Sequence, residues 1–202
     1  MKPSLRTSLE DAGSLGLDDL VIRLPLKWAR PLLNDETLDI QIIYLVRDPR
    51  AVMMSRLKYP WWCQDKSCSD TETVCDILKE NLKVADELQE MFPGKFKVYQ
   101  YERINKNPNR GLREIMTFLN LPVSQAQLDT LKPNITEQDN FYGIRKNATA
   151  MVDEWRSQNP FEIIRYIQET CAEVISKQGL RFFDSESELR NLSLPLIVSD
   201  AS

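Results

Sequence analysis

The sequence predicts an α/β fold in which helices cover a parallel sheet. Two β-rich segments, residues 39–46 and 96–101, are separated by a long stretch whose apolar residues recur at helical spacing. Strands that alternate with helices of this length form β-α-β crossovers, and such crossovers give parallel pairing. The chain has 202 residues, 42% hydrophobic and 28% charged, which is enough for one domain with a single core.

The two strands have different patterns. Residues 39–46 are β-branched and nearly continuously apolar, which predicts a central strand buried on both faces of the sheet. Residues 96–101 alternate between apolar and polar, which favours a position nearer the sheet edge. Because a sheet of two parallel strands leaves an unpaired edge on each strand, we interpret the chain as a portion of a larger α/β domain whose N-terminal part is missing.

Helix starts are indicated by capping patterns. Ser69 and Glu72 have the spacing of a capping box and predict the start of the long helix between the two strands. Three further helices are predicted where an Asx residue precedes proline, a pair suited to the N-cap and first helical positions: Asp48-Pro49, Asn107-Pro108 and Asn159-Pro160. The last of these is expected to continue to a glycine stop at Gly179.

The ends of the chain are predicted to contribute little to the core. Residues 1–18 are expected to be poorly ordered, residues 19–183 to form the domain, and residues 184–202 to form a disordered tail. No apolar run approaches the ~18–20 residues that span a bilayer, and no apolar segment follows the N-terminal basic residues. We therefore expect neither a membrane anchor nor a signal peptide within this sequence.

Charge and cysteine content narrow the kinds of site. A net charge of −4 argues against a general nucleic-acid or anionic-membrane surface, so an anion site has to be local. The chain has no histidine, which argues against a metal site. Four cysteines leave both oxidised and reduced states open, and the residues alone favour reduced buried thiols: Cys63, Cys68, Cys75 and Cys171.

The most informative segment follows the first strand, where Arg47, Asp48 and Pro49 lead at once into a helix. Ligands of open α/β sheets bind at this end of the strands, and the planar guanidinium of Arg47 matches phosphate oxygens. Asp48 is predicted to cap the helix. Ser55 is predicted to share a sheet-facing stripe with Ala51 and Val52. On spacing alone, an ordinary strand-to-helix turn with a solvated Arg47 remains open and is favoured.

The sequence RDPRAVMMSR at residues 47–56 resembles the 3′-phosphate-binding motif of the carbohydrate sulfotransferases. It is most similar to the group that sulfates the 6-hydroxyl of N-acetylglucosamine, galactose or N-acetylgalactosamine. Further similarity lies in residues 23–33, in Tyr101-Glu102, in residues 118–122 and in the block at residues 144–156. Arg103 stands where that family usually has aspartate, and Tyr101-Glu102 is interpreted as structural, anchoring the second strand.

The resemblance implies a P-loop-NTPase-like sheet and the sulfate donor PAPS, 3′-phosphoadenosine 5′-phosphosulfate, without a metal. Arg47 and Ser55 would hold its 3′-phosphate, and Arg145 and Lys146 would close on the same nucleotide. The catalytic residues stay unidentified. The family's Gly/Ser-rich loop for the 5′-phosphosulfate has no counterpart here, because Gly13 and Gly16 follow no strand and precede acidic residues. We therefore expect the chain alone to be inactive in sulfate transfer.

The resemblance also implies a setting and an acceptor. It points to the Golgi lumen, to a glycan acceptor on glycoprotein or glycosaminoglycan chains, and to a membrane link only through an anchor that is missing from this sequence. A lumenal setting predicts that at least two of Cys63, Cys68 and Cys75 are disulfide-bonded. Two alternatives stay open: a non-catalytic pseudoenzyme that binds 3′-phosphonucleotides or glycans, and a P-loop nucleotide kinase.

Overall fold

The computed structural model describes residues 24–58, 65–130 and 148–198. A 3-10 turn at Leu26–Trp28 leads into the first helix. The described elements then follow in chain order: α1 Ala29–Asn34, β1 Ile42–Val46, α2 Pro49–Lys58, α3 Lys66–Ser69, α4 Thr71–Met91, β2 Phe96–Gln100, α5 Tyr101–Lys106, α6 Pro108–Phe118, α7 Gln125–Thr130, α8 Ala148–Gln158, α9 Phe161–Thr170, α10 Ala172–Lys177 and α11 Glu186–Arg190.

The sheet is parallel, as predicted. β1 pairs with β2 in a register that runs from Ile42 opposite Phe96 to Val46 opposite Gln100. Within the described residues the sheet contains these two strands, and the long helix α4 lies between them in the chain. The prediction that the first strand is buried on both faces is wrong for this chain, since the Leu45 side chain is 53% exposed. The described part of the chain therefore leaves about half of that side chain open to solvent.

Two helix starts differ from the capping predictions. The long helix α4 is capped by Asp70, whose side chain accepts from the Thr73 N–H at 2.9 Å, and not by Ser69, which ends α3. Both residues are good N-caps one position apart, so the sequence pattern could not separate them. The Asn107 cap of α6 is confirmed.

The helix predicted from Asn159-Pro160 begins one residue later than expected and is interrupted. Pro160 occupies the N-cap of α9, and the Asn159 side chain instead donates back to the Trp155 carbonyl at 2.9 Å. The helix ends at Thr170, and α10 continues the path after Cys171. Gly179 then adopts φ 65°, the left-handed conformation expected of a glycine stop.

A disulfide joins Cys75 in α4 to Cys171 across 96 residues of sequence. Cys68 is also disulfide-bonded. The expectation that at least two of the three clustered cysteines are oxidised is therefore confirmed, and the reduced state that the residues alone favoured is wrong. Cys63 lies outside the described residues. The Cys75–Cys171 pairing fixes α4 against the C-terminal helices around the core.

The core consists of two clusters that meet at the sheet. One contains residues of α2, α4, α8, α9 and α10, and the other contains the 3-10 turn, α1 and the second half of α4. Tyr44 and Val98, from the two strands, pack against both clusters. The β1–α2 connection is thus held between buried elements on several sides.

Residues 184–198 differ from the predicted disordered tail. They form α11 and bury Leu189 and Leu196 within the larger core cluster. The fully buried Arg156 of α8 donates to the carbonyl oxygens of Leu189 at 3.0 Å and Asn191 at 2.7 Å. Two buried leucines and a buried arginine that needs acceptors together order a segment whose polar composition suggested disorder. Residues 1–18 and 199–202 lie outside the described residues.

Candidate anion-binding site

The connection between β1 and α2 is held by Asp48. Its carboxylate is completely buried, and Oδ1 accepts from the Arg50 backbone N–H at 2.8 Å. This contact satisfies one of the free N–H groups at the start of α2 and confirms the predicted cap. Because the carboxylate already occupies the helix N-terminus, anion recognition at this end has to come from side chains.

The side chain of Arg50 is occupied by contacts within the protein. It is completely buried and makes two contacts with Asp48, Nε–Oδ1 at 3.0 Å and Nη2–Oδ2 at 2.8 Å. Nη1 donates to Gln168 Oε1 and to the Arg181 carbonyl, each at 2.8 Å. Since its charge is compensated and its donors are occupied, Arg50 stabilises the loop and is not available to a ligand.

Arg47, directly after β1, is in the opposite situation. Its guanidinium carbon lies 4.4 Å from the centre of the Tyr101 ring, but it forms no ion pair with any described residue. Its Nε is buried and has no hydrogen-bond partner among the described residues. Unpaired buried donors are rare and cost about 1–3 kcal/mol each, so this atom is a candidate contact for an acceptor from outside the described residues.

Glu102, in the first turn of α5, lies behind this loop. The residue is 1% exposed, and Oε1 accepts from the Asp48 backbone N–H at 2.9 Å. Burial, and next the charge of Asp48, raise the pKa of Glu102 from 4.5 to about 7, against the opposing effects of backbone N–H donors and of Arg47. Its Oε2 has no partner within the described residues.

Gln178, just after α10, completes the cluster from the C-terminal side. Its side-chain nitrogen approaches the Arg47 carbonyl oxygen at 3.5 Å, and its buried Oε1 lacks a partner. Of the four buried side-chain polar atoms without partners in the described part of the chain, three therefore belong to Arg47, Glu102 and Gln178. Sequence reasoning treated Glu102 as structural and missed Gln178, because neither burial nor a missing partner is visible in a residue pattern.

Comparison with known proteins identifies the family. The model of the sulfotransferase domain matches residues 25–179. The chain belongs to the sulfotransferase domain family. Human carbohydrate sulfotransferase 1 is 26% identical over 186 residues, which cover 83% of this chain and 45% of that protein. Mouse carbohydrate sulfotransferase 3 is 27% identical over 190 residues, covering 85% and 40% respectively.

Human carbohydrate sulfotransferase 6 is 29% identical over 195 residues, covering 83% of this chain and 48% of that protein. The chain thus spans about half the length of the curated relatives that it matches. No solved structure matches it. The matched part of the sulfotransferase domain includes the whole buried polar cluster around Arg47, together with Ser55.

Ser55 does not lie on the buried face of α2 that the sequence predicts for it. It is exposed, whereas the buried residues of α2 include Arg50, Ala51, Met53 and Met54. Ala51 is therefore buried as the predicted stripe requires, but the placement of Ser55 on that stripe is wrong. Ser55 lies about 9 Å along the helix axis from Pro49, and no hydrogen bond connects it with Arg47. Its exposure leaves the hydroxyl accessible.

The remaining predicted residues add less. Arg145 and Lys146 lie outside the described residues. Arg103 donates from Nε to Gln100 Oε1 at 2.8 Å. Tyr101 and Glu102 begin α5 and do not extend the second strand. Within the described ranges, no group of His, Cys, Asp and Glu side chains is arranged to hold a metal ion, and no helix is long and apolar enough to cross a bilayer.

Proposed function

We propose that this chain is the nucleotide-binding portion of a PAPS-dependent sulfotransferase that acts on a sugar hydroxyl, and that Arg47 binds the donor's 3′-phosphate. The observation that carries the proposal is the half-buried guanidinium of Arg47, which lacks an acceptor for Nε and an ionic partner among the described residues. A phosphate supplies both, through charge-assisted hydrogen bonds. The names of the three relatives support sulfate transfer to carbohydrate.

The neighbouring residues fit a phosphate at this position. The ring of Tyr101 supports one face of the guanidinium, which limits its rotation and prepares it for a planar, two-point contact. The buried Asp48–Arg50 pair fixes the start of α2 without adding a free charge. The exposed hydroxyl of Ser55 and the basic pair Arg145-Lys146 are proposed as further contacts to the nucleotide.

Bound PAPS would supply the sulfuryl group that is transferred to the acceptor hydroxyl. By resemblance the acceptor is the 6-hydroxyl of N-acetylglucosamine, galactose or N-acetylgalactosamine on a glycoprotein or glycosaminoglycan, with no metal involved. The disulfides at Cys68 and at Cys75–Cys171 support an oxidising compartment such as the Golgi lumen. The proposal assigns these residues to holding the donor and assigns none of them to the transfer step.

The proposal is tested by nucleotide affinity and not by sulfate transfer, because the chain spans about half the length of its relatives. Arg47→Ala removes charge-assisted contacts worth about 1.5–3 kcal/mol, so affinity for adenosine 3′,5′-bisphosphate should fall about tenfold to a hundredfold. Affinity for adenosine 5′-monophosphate should hardly change. Calorimetry on both ligands measures the preference, and thermal melting checks folding.

The exposed Arg113 of α6 provides a matched control, because Arg113→Ala removes the same charge away from the site. The control should retain the wild-type preference for the 3′-phosphate. If folded Arg47→Ala retains that preference too, Arg47 is not the 3′-phosphate ligand. If the wild type binds the bisphosphate but no sulfate transfer accompanies it in the longest natural form of the protein, the non-catalytic binding module is the better description.

A further inference from the structure

The peptide group between Arg47 and Asp48 is held on both of its polar atoms. Its N–H, from Asp48, donates to Glu102 Oε1 at 2.9 Å. Its carbonyl oxygen, from Arg47, faces the Gln178 side-chain nitrogen at 3.5 Å, which is a weak contact. The stronger restraint on this peptide is therefore the Glu102 carboxylate, and the Arg47 side chain starts from the atom next to it.

Glu102 is also electrostatically placed to sense what binds at Arg47. The carboxylate is buried between two charged residues of the same loop: Asp48 repels its charged form and Arg47 stabilises that form. The other charged residues on the helices that pack against α5 are Arg110, Arg113 and Glu114 of α6, and Asp153, Glu154 and Arg156 of α8. The strand β2 also packs against α5 and carries Lys97, whose ammonium lies over the Tyr99 ring and does not contribute to the Glu102 shift.

Of those six residues, Arg110 pairs with Glu114 and Arg156 pairs with Asp153. The shift in the Glu102 pKa comes from burial, Asp48, nearby N–H groups and Arg47, and from none of the six. A phosphate that engages Arg47 neutralises the one charge that favours ionised Glu102 and adds negative charge beside it. Protonation of Glu102 is the compensating change that the geometry allows, because its Oε2 has no other partner among the described residues.

We propose that Glu102 is a positioning residue for the phosphate-binding Arg47, and that phosphate binding there is accompanied by protonation of Glu102 from solvent. The inference rests on the proposed function, since it requires a phosphate at Arg47. It adds two properties to that function: the orientation of the Arg47–Asp48 peptide depends on an acceptor at position 102, and phosphate affinity depends on pH through a residue that need not touch the ligand.

Proton uptake is measured by calorimetry of adenosine 3′,5′-bisphosphate binding near pH 7.5, in buffers that differ in ionisation enthalpy. The ligand's own phosphate ionisation, with a pKa of about 6, contributes equally to every protein variant. Wild type should take up about half a proton more than Glu102→Gln, whose side chain cannot ionise. Between pH 6 and 8 the affinity of wild type should fall about tenfold more than that of the variant.

Positioning is measured by the preference for adenosine 3′,5′-bisphosphate over adenosine 5′-monophosphate. Glu102→Ala removes the acceptor for the Asp48 N–H and should reduce the preference about tenfold, whereas Glu102→Gln keeps an acceptor oxygen and should retain it. A purely structural role would lower the melting temperature of both variants without changing the preference. Glu90→Gln, an exposed glutamate of α4, serves as the charge-matched control.

The outcomes separate the two ideas. Loss of the 3′-phosphate preference in Arg47→Ala, together with unequal proton uptake in wild type and Glu102→Gln, supports the inference. Loss of the preference in Arg47→Ala with equal proton uptake overturns the inference and leaves the proposed function intact. An unchanged preference in Arg47→Ala overturns both. If Glu102→Ala does not fold, the proton uptake of Glu102→Gln decides the question.

Discussion

Glu102 should make the protein less stable as the pH rises through the neutral range. Its pKa is raised in the folded protein from 4.5 to about 7, so the folded state binds this proton more tightly than the unfolded state does. The associated stability is fully present below pH 4.5 and is lost as the pH rises to about 7. A shift of this size corresponds to about 3 kcal/mol at ~1.4 kcal/mol per pH unit.

Glu102→Gln should abolish this pH dependence, because the amide is neutral at every pH. Urea unfolding between pH 4.5 and 8 gives the free energy of unfolding for wild type and variant. We expect the difference between them to change by about 3 kcal/mol in favour of the variant as the pH rises to 7. The amide's buried NH₂ group adds a constant cost of about 1–3 kcal/mol that shifts the curve without changing its slope.

A control variant and a contrary outcome test the raised pKa of Glu102. Glu90→Gln, which removes an exposed carboxylate from α4, should give a curve parallel to that of wild type. If the Glu102→Gln curve is also parallel to wild type across pH 4.5–7, Glu102 does not carry a raised pKa, and burial beside Asp48 does not disfavour its charged form.

Three further predictions concern stability. Arg50→Ala leaves the buried Asp48 carboxylate uncompensated and should cost about 3–5 kcal/mol in urea unfolding; a loss below 1 kcal/mol would mean that water replaces the pair. The double variant Cys75→Ala/Cys171→Ala should be about 2–5 kcal/mol less stable, and unchanged stability would contradict the linkage across 96 residues. Leu189→Ala should lower the free energy of unfolding by about 2–5 kcal/mol, whereas Leu192→Ala, at an exposed position, should lower it little. Equal losses would favour the prediction that this segment is a disordered tail.

The fold could be predicted from local patterns where those patterns have one physical meaning. Alternation of strands and helices dictates parallel pairing, and Asn107-Pro108 has no competing cap nearby, so both predictions are confirmed. The order of residues 184–198 could not be predicted from local patterns, because it depends on contacts with Arg156, which is 33 residues away from Leu189. A hydrogen bond between a buried donor and an acceptor far along the chain produces no local periodicity in the sequence.

The site could be predicted in part. The prediction for Arg47 comes from the resemblance of residues 47–56 to a phosphate-binding motif, because spacing alone favours a solvated arginine; the buried Nε without a partner among the described residues is an independent observation that supports it. The orientation of α2 could be predicted only in part, because its buried residues include a charged one, Arg50, beside the predicted Ala51. Hydrophobic periodicity assigns an arginine to solvent and does not predict that Ser55 is exposed.

Arg47 and Arg50, the two arginines of RDPR, look equivalent in the sequence. Their different roles follow from how charge is distributed in the fold. Asp48 neutralises Arg50 completely, with both side chains fully buried. Arg47 forms no ion pair with a described residue, but its charge attracts that of Glu102, whose pKa of about 7 makes this attraction depend on pH. With Glu102 ionised, the four groups sum to zero and have little attraction for an anion; with Glu102 protonated, they leave one positive charge on Arg47. Because a charge beside a low-dielectric interior acts more strongly than one in water, the proposed phosphate site at Arg47 should gain or lose most of its attraction for an anion with this single proton.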